Sequence, residues 1–407
     1  MTDEKHVLQE LRILDASRVM SGPYATMLLG DYGAEVIKVE DTGSGDETRH
    51  WYPPTIEGES AYYLSANRNK KDIALNLKTK DGLEIFYKLA ESADVLIENF
   101  RPGVTQRLKI DYETILKINP KIIYCSISGF GQTGPYRDNP GYDLIVFAMG
   151  GLMSFTGEEG RPPVRVGVPI ADICAGLYAV TAILAALRYR DQTGRGQRID
   201  VSMHDVQVSL LTHQAMSYFA TGENPKKMGS AHANLSPYQA FEGSDGDYFV
   251  LAIGNDKLWI DFCVAIGESE LSSDLRFQTN PDRLKNKRDL LLILEPLFKS
   301  KPSKYWIDLA TRAGVPAGPI SKVSDVLSDD HVIFREMVIK IDNPRSGKKL
   351  MQLGTPVKFS EAKTSVRLAP PAKGENSTEI LGSLGYSPER IRDLINSDVV
   401  KEFKKTN

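Results

Sequence analysis

Cysteine is scarce. The 407 residues hold three, Cys125, Cys174 and Cys263, far apart and without a CxxC pair. That spacing gives no support to a zinc site, a dithiol redox motif or a disulfide scaffold. An odd, sparse set of thiols suits a reducing compartment, so a cytoplasmic location is expected. An excess of charge of one sign is also lacking. Lys plus Arg number 50 and Asp plus Glu 53, a formal net charge of −3. Nothing draws the whole chain toward nucleic acid, and any anion site must be local. No run of about 18 apolar residues is apparent, so no membrane-spanning helix is expected. The longest apolar tract, Ile170 to Leu187, is interrupted by Asp172, Gly176, Tyr178 and Thr181 and reads as a buried helix. The N-terminal stretch has neither the basic and apolar regions of a secretory signal nor the acid-poor composition of a transit peptide. A nucleophile elbow, a P-loop lysine motif and an HExxH helix are missing too.

What is present is an ordinary globular composition, 41 % hydrophobic and 25 % charged, long enough for two or three domains. The first third alternates strand and helix signals. Arg12–Asp15, Glu35–Glu40, Asp72–Leu77, Asp94–Glu98 and Lys121–Ser126 read as strands, with helices such as Thr79–Ser92 between them. That alternation predicts an α/β fold with a mostly parallel sheet and helices on both faces. A long helix is expected over Ala171–Arg190, ended by the turn at Thr193–Gly196, and another over Val206–Thr221. The polar break at Gly222–Pro225 sets a boundary. Apolar stretches at Tyr238–Phe241 and Tyr248–Ala252 flank a Gly243–Gly246 turn, which predicts a hairpin. The expected organisation is 1–222 for the N-terminal part of a large domain, 223–330 for a smaller α+β domain, and 331–407 for a linker and the rest of the large domain.

Several motifs point to chemistry. Gly129-Phe-Gly-Gln-Thr-Gly134 matches GxGxxG after a strand, but Pro135 to Pro140 stand where a helix should begin. The glycines therefore read as a turning loop and not a dinucleotide fingerprint. Asp172 has apolar flanks and small neighbours, Ala171, Ala175 and Gly176. It reads either as a helix cap or first-turn residue, or as a carboxylate kept in a pocket for acyl chemistry. Tyr142 and Asp143 lie in a loop, where Tyr142 either packs or orients a thioester. Arg49, Arg68, Lys70, Lys71, Lys78, Arg101 and Arg107 cluster near expected strand ends. Singly they are solvated charges; together they would hold a phosphate-rich ligand. His232 and Asn234 lie among small residues before a strand, in a loop of the kind that lines a site. His204-Asp205 reads as structural.

These residues carry a resemblance. Arg18-Val-Met-Ser-Gly-Pro-Tyr-Ala25, Leu29-Gly-Asp-Tyr-Gly-Ala-Glu-Val-Ile-Lys-Val-Glu40, Asn67-Arg-Asn-Lys-Lys71, Glu98-Asn-Phe-Arg-Pro-Gly103 and Thr193-Gly-Arg-Gly-Gln197 resemble family III CoA-transferases, over roughly residues 10–395. The segments Gly58–Ser65, Ile122–Ile127, Gly229–Phe241 and Val315–Ile320 are most similar to the family's dicarboxylate enzymes. The resemblance implies a Rossmann-like large domain with a smaller domain inserted before the C-terminal tail, and two chains interlocked as a homodimer. It implies acyl-CoA and carboxylic acid substrates, succinyl-CoA and a dicarboxylate by the closer match, with no permanently bound cofactor and no metal. No nucleic-acid or membrane partner is expected. Asp172 falls at the family's nucleophile. Met20, Leu75, Lys78, Asn99, Phe100, Arg107, Tyr142 and Asp143 fall at CoA-contacting positions, with Arg101 added from the basic cluster. Arg68, His232 and Asn234 are candidates for the acceptor's second carboxylate. Two departures stand out: Asp41 replaces a basic CoA contact of formyl-CoA transferase, and Tyr142 replaces the histidine of the racemases that share the fold. Racemisation needs an acid and a base on opposite faces of the α-carbon, so that alternative is disfavoured. A non-catalytic CoA-binding protein is the other.

Overall fold

The computed structural model describes residues 6–404; the outermost residues of the expected N- and C-terminal parts lie outside them. The chain forms two compact units. The first takes Met1–Leu152, Arg165–Ala215 and Asp330–Asn407, and the second Met153–Val164 and Met216–Asp329.

The first unit is built on a seven-stranded sheet. Its spatial order is Val400–Lys401, Lys70–Leu75, Glu35–Glu40, Arg12–Asp15, Val95–Glu98, Ile123–Ser128, Gln197–Ser202. All neighbours are parallel except the C-terminal edge strand, which is antiparallel to Lys70–Leu75. Numbered along the chain, the parallel strands lie third, second, first, fourth, fifth, sixth, the order of a doubly wound sheet. The topological switch point falls between Arg12–Asp15 and Val95–Glu98.

Successive side chains of these strands point to opposite faces of the sheet. Ile13, Val95, Ile97, Ile123, Cys125 and Ile127 pack on one face with the helices Ser21–Asp31 and Ile170–Thr193. Leu14, Ile73, Leu75, Leu96 and Tyr124 pack on the other with Lys80–Glu91, Ser377–Ser383 and Pro388–Asn396. Both faces are covered, so both sets must be apolar. Helix Lys80–Glu91 follows its sequence signals closely: Thr79 accepts the Gly82 N–H, and Ile85, Phe86, Leu89 and Ala90 face inward.

Three expectations are corrected. The strand expected at Asp72–Leu77 is Lys70–Leu75. The helix expected over Val206–Thr221 is two, Met203–Ser209 and Thr212–Thr221, broken where Thr212 takes φ 42°. The helix Ile170–Thr193 is, by length and composition, apolar enough to cross a bilayer, although half of its most apolar window is buried. Ala171, Ala175, Ala179 and Ile183 pack inward while Leu177, Tyr178, Leu184 and Tyr189 are exposed. Its composition is apolar because both sides are, not because one side is buried.

The second unit holds the expected hairpin, Tyr238–Glu242 with Tyr248–Ala252, joined by a third antiparallel strand, Ala317–Pro319. That third strand is three residues long, too short for an alternation to reveal it. Phe241, Phe249, Trp259, Phe262, Phe298 and Trp306 form its core. The Arg283 guanidinium is fully buried there and donates to the carbonyls of Ser236 and Phe277 and to Asp256.

Candidate active site

The carboxyl ends of three strands converge at the switch point. Arg12–Asp15 leads into Arg18, Val95–Glu98 into Asn99–Pro102, and Ile123–Ser128 into the Gly129–Tyr142 loop. Side chains from all three line a cavity of about 100 Å³, with Arg18, Arg101, Arg137, Tyr142, Asp143 and Asp172 on its walls. A second cavity of about 520 Å³ is lined by the loop Glu40–Asp46, by Leu75–Lys78 and by Leu108. Arg18 and Phe100 line both, the guanidinium 5.3 Å from the ring centroid, so the two spaces adjoin.

Asp172 lies in the first turn of helix Ile170–Thr193 and is 8 % exposed, so its carboxylate needs partners. Ser21 supplies them through its hydroxyl and backbone N–H. Ser21 opens the helix Ser21–Asp31, whose N-terminal dipole also favours the anion. Gly176 lets the two helices meet: a Cβ there would stand 2.8 Å from Ser21 O. The cap of Asp172's helix is a different carboxylate. Asp143 Oδ1 accepts the Ala171 N–H at 2.8 Å and the Asp172 N–H at 3.4 Å. Burial, and then the nearby Asp143 charge, push the Asp172 carboxyl up to about 7 against the Ser21 bonds.

The loop at the first strand is held in a strained form. Val19 has φ 70°, a left-handed conformation that a β-branched residue resists. The Asn99 amide accepts the Arg18 N–H at 2.9 Å and donates to Arg18 O at 2.6 Å, while Asp46 accepts the Val19 N–H. Asn99 thus ties the first strand's loop to the fourth's. The Gly129–Gly134 run is a turning loop, with Gly131 at φ 86° and Gly134 at φ 90°, and the next helix begins only at Asp143.

Of the residues expected at the site, Asp172, Asn99, Phe100, Arg101, Tyr142 and Asp143 line the smaller cavity, and Leu75, Lys78 and Phe100 the larger. Arg107 lies beyond them, in a shallow surface depression with Lys78 and Leu108. Met20 is buried as the residue before helix Ser21–Asp31 and lines neither cavity. Arg68 is not at the site. Its guanidinium is buried and bound to both oxygens of Asp31, at 3.1 and 2.7 Å. Arg49 and Lys70 are likewise buried, paired with Glu40 and Asp15, so neither is the solvated charge its residue type suggests. His232 and Asn234 belong to the second unit. There His232 Nδ1 accepts the Asn234 N–H at 3.0 Å, and the ring tilts against Tyr238. Among the described residues no three metal-ligating side chains come together.

Three residues escape the sequence reading. Ser21 sits in a quoted motif but carries no sign of its aim. Tyr62 is pushed up to about 12 by burial and by the Asp172 and Asp143 charges, and its ring meets Trp51 edge-on at 5.0 Å. Glu98, buried beneath the cavity, accepts the Phe100 N–H at 2.9 Å, and burial raises it to about 7.

A carboxylate at a helix N-terminus, beside a groove with arginines at one end and lysine at the other, is suited to an acyl thioester with a phosphorylated tail. The profile of CoA-transferase family III matches residues 8–377. The chain belongs to that family. This CoA-transferase is 42 % identical to a mouse protein named succinyl-CoA:glutarate CoA-transferase, over 99 % of this chain and 92 % of that one. It is 42 % identical to the acetyl-CoA:oxalate CoA-transferase of Acetobacter aceti, over 86 % of this chain and 88 % of that one. Its fold matches the crystal structure of a CAIB/BAIF family protein from Brucella suis, with a TM-score of 0.83 and 41 % identity, over 94 % of this chain and all of that one.

Proposed function

We propose that this CoA-transferase moves CoA from succinyl-CoA to a dicarboxylate, with Asp172 as the nucleophile. The observation that carries the reading is the buried Asp172 carboxylate on the cavity wall, held by Ser21 and raised to about 7. A carboxyl with that value is largely ionised just above neutrality yet more basic than a solvated one, which favours attack. One Asp172 oxygen adds to the donor's thioester carbonyl, the C–S bond breaks, and a mixed anhydride and CoA thiolate form. The thiolate then attacks the Asp172 carbonyl carbon, releasing the donor acid and leaving an aspartyl-CoA thioester. The acceptor carboxylate attacks that thioester, and the returning thiolate cleaves the second anhydride on the acceptor's side. The acceptor leaves as its CoA thioester and Asp172 is regenerated. A carboxylate suits this exchange because its anhydride keeps the acyl-transfer potential of a thioester.

The CoA nucleotide occupies the larger cavity, against Leu75 and Lys78, and the pantetheine passes Phe100 toward Asp172. Arg101 and Arg137 meet anionic groups at the reacting end. Arg137 pairs with its exposed neighbour Asp138 at 3.6 Å, a pair of the kind worth at most about 1 kcal/mol. An acceptor's far carboxylate displaces it. The mouse relative's name supports the acyl donor, and both relatives' names support the acid class.

The test is a transfer assay with succinyl-CoA and glutarate, hydroxymethylglutarate, malate, itaconate, mesaconate, oxalate and formate, read by mass spectrometry. A new dicarboxylyl-CoA that disappears in Asp172→Ala supports the reading. Full turnover in that variant refutes the nucleophile, and transfer confined to monocarboxylates refutes the acceptor class. We also propose a homodimer, supported by the exposed Leu177, Tyr178 and Leu184 on one helix face. Light scattering at the monomer mass would overturn it.

A further inference from the structure

The charges around the larger cavity do not suffice for the ligand they face. Lys38 lines it but is buried and paired with Asp46 at 2.9 Å, and Glu40 is taken by Arg49 at 2.6 Å. Asp41 is exposed on the same loop, accepting the Gly43 N–H at 2.7 Å, and repels an anion. Among the described residues, Lys78 is the one cation on the cavity wall without an ion pair, and it is opposed by Asp41.

A second ammonium reaches that loop from the far end of the chain. Pro371 O accepts from Arg49 Nη2 at 3.1 Å and from the Tyr63 hydroxyl at 3.0 Å, which pins the returning segment. The next residues carry Lys373 across Gly45, where a Cβ would stand 2.8 Å from Lys373 Cδ. Its Nζ donates to Gly43 O and, at 3.5 Å, to Thr42 O. Thr42, Gly43 and Gly45 all line the cavity. Both partners are neutral carbonyls, so the ammonium is positioned by the loop without being neutralised.

We propose that Lys373 is a phosphate-binding residue of the nucleotide site, supplying from the C-terminal segment the cation that Asp41 does not. The ligand group is a phosphate of the 3′-phosphorylated ADP end of the thioester. The proposal rests on the larger cavity being the CoA nucleotide site.

The experiment compares wild type, Lys373→Gln and Lys373→Arg with succinyl-CoA and succinyl-3′-dephospho-CoA as donors. Losing one charge-assisted bond at a half-exposed site should raise the KM for succinyl-CoA by about tenfold in Lys373→Gln. The kcat and the acceptor KM stay unchanged, and Lys373→Arg restores most of the loss. A rise confined to succinyl-CoA assigns Lys373 to the 3′-phosphate; an equal rise for both donors assigns it to the pyrophosphate. An unchanged donor KM in Lys373→Gln overturns the proposal while leaving CoA transfer intact. Wild type that neither binds nor transfers CoA thioesters overturns the underlying reading instead.

Discussion

Replacing Asp172 by Asn should end catalysis and stabilise the protein, and the gain should depend on pH in a calculable way. In the folded chain the carboxyl is raised from 3.8 to about 7, first by burial and then by Asp143. In the unfolded chain it reverts to its ordinary value. Between those values the folded state binds the extra proton, so wild-type stability falls as pH rises from about 4 to about 7 and is flat above. A shift of about three pKa units corresponds to about 4 kcal/mol. Asn has no charge to bury and keeps an oxygen for the Ser21 N–H and hydroxyl. The variant's advantage should therefore be near zero at pH 4 and grow to as much as about 4 kcal/mol at pH 8. Urea unfolding of both proteins across that range measures it, since the difference between variants is sounder than either absolute value. An advantage that stays constant from pH 4 to pH 8 refutes the argument, because it would mean that Asp172 titrates alike in both states.

Asp143→Asn removes the neighbouring charge but keeps a capping oxygen, so the acid limb of the kcat/KM profile should move to lower pH, with the limb in wild type near 7; an unmoved limb excludes Asp143 as a cause. Arg68→Ala leaves Asp31 buried without its cation, a change that typically costs about 3–5 kcal/mol, and should lower the melting temperature without a selective effect on either substrate's KM. Gly176→Ala puts a methyl 2.8 Å from Ser21 O and 3.2 Å from Tyr24. It should destabilise by about 1–3 kcal/mol and lower kcat, both readable by thermal scanning and steady-state assay.

The fold was legible where one local signal sufficed. Thr79 before a helical spacing of apolar residues gave the helix Lys80–Glu91, and the runs at Glu35–Glu40 and Asp94–Glu98 gave strands. Asp172 was legible as a first-turn residue with small neighbours, although the cap itself comes from Asp143, 29 residues earlier. What stayed hidden depends on partners distant in sequence. Arg49, Arg68 and Lys70 look like surface cations because Lys and Arg are mostly exposed. Their carboxylates, Glu40, Asp31 and Asp15, come from separate strands and helices. The available hints were charges set in apolar elements: Asp31 closes an apolar helix, and Lys38 interrupts a strand of Val and Ile, where an uncompensated charge is costly. Ser21 meets Asp172, and Lys373 the Gly43 carbonyl, through tertiary approach alone, which periodicity does not encode.

The C-terminal edge strand also bears on how the protein is made. Val400 and Lys401 pair with Leu75 and Ala74, and Val399 O accepts the Asn76 N–H, beside the wall of the larger cavity. The strand Lys70–Leu75 gains its outer neighbour from residues far later in the chain. Until those residues emerge, the nascent chain carries an open sheet edge at Lys70–Leu75, the kind of edge that recruits other strands. Emergence of Val400 and Lys401, not of the first domain-length stretch, is the moment at which this edge of the sheet can close. A truncation ahead of Val399 would make the exposure permanent.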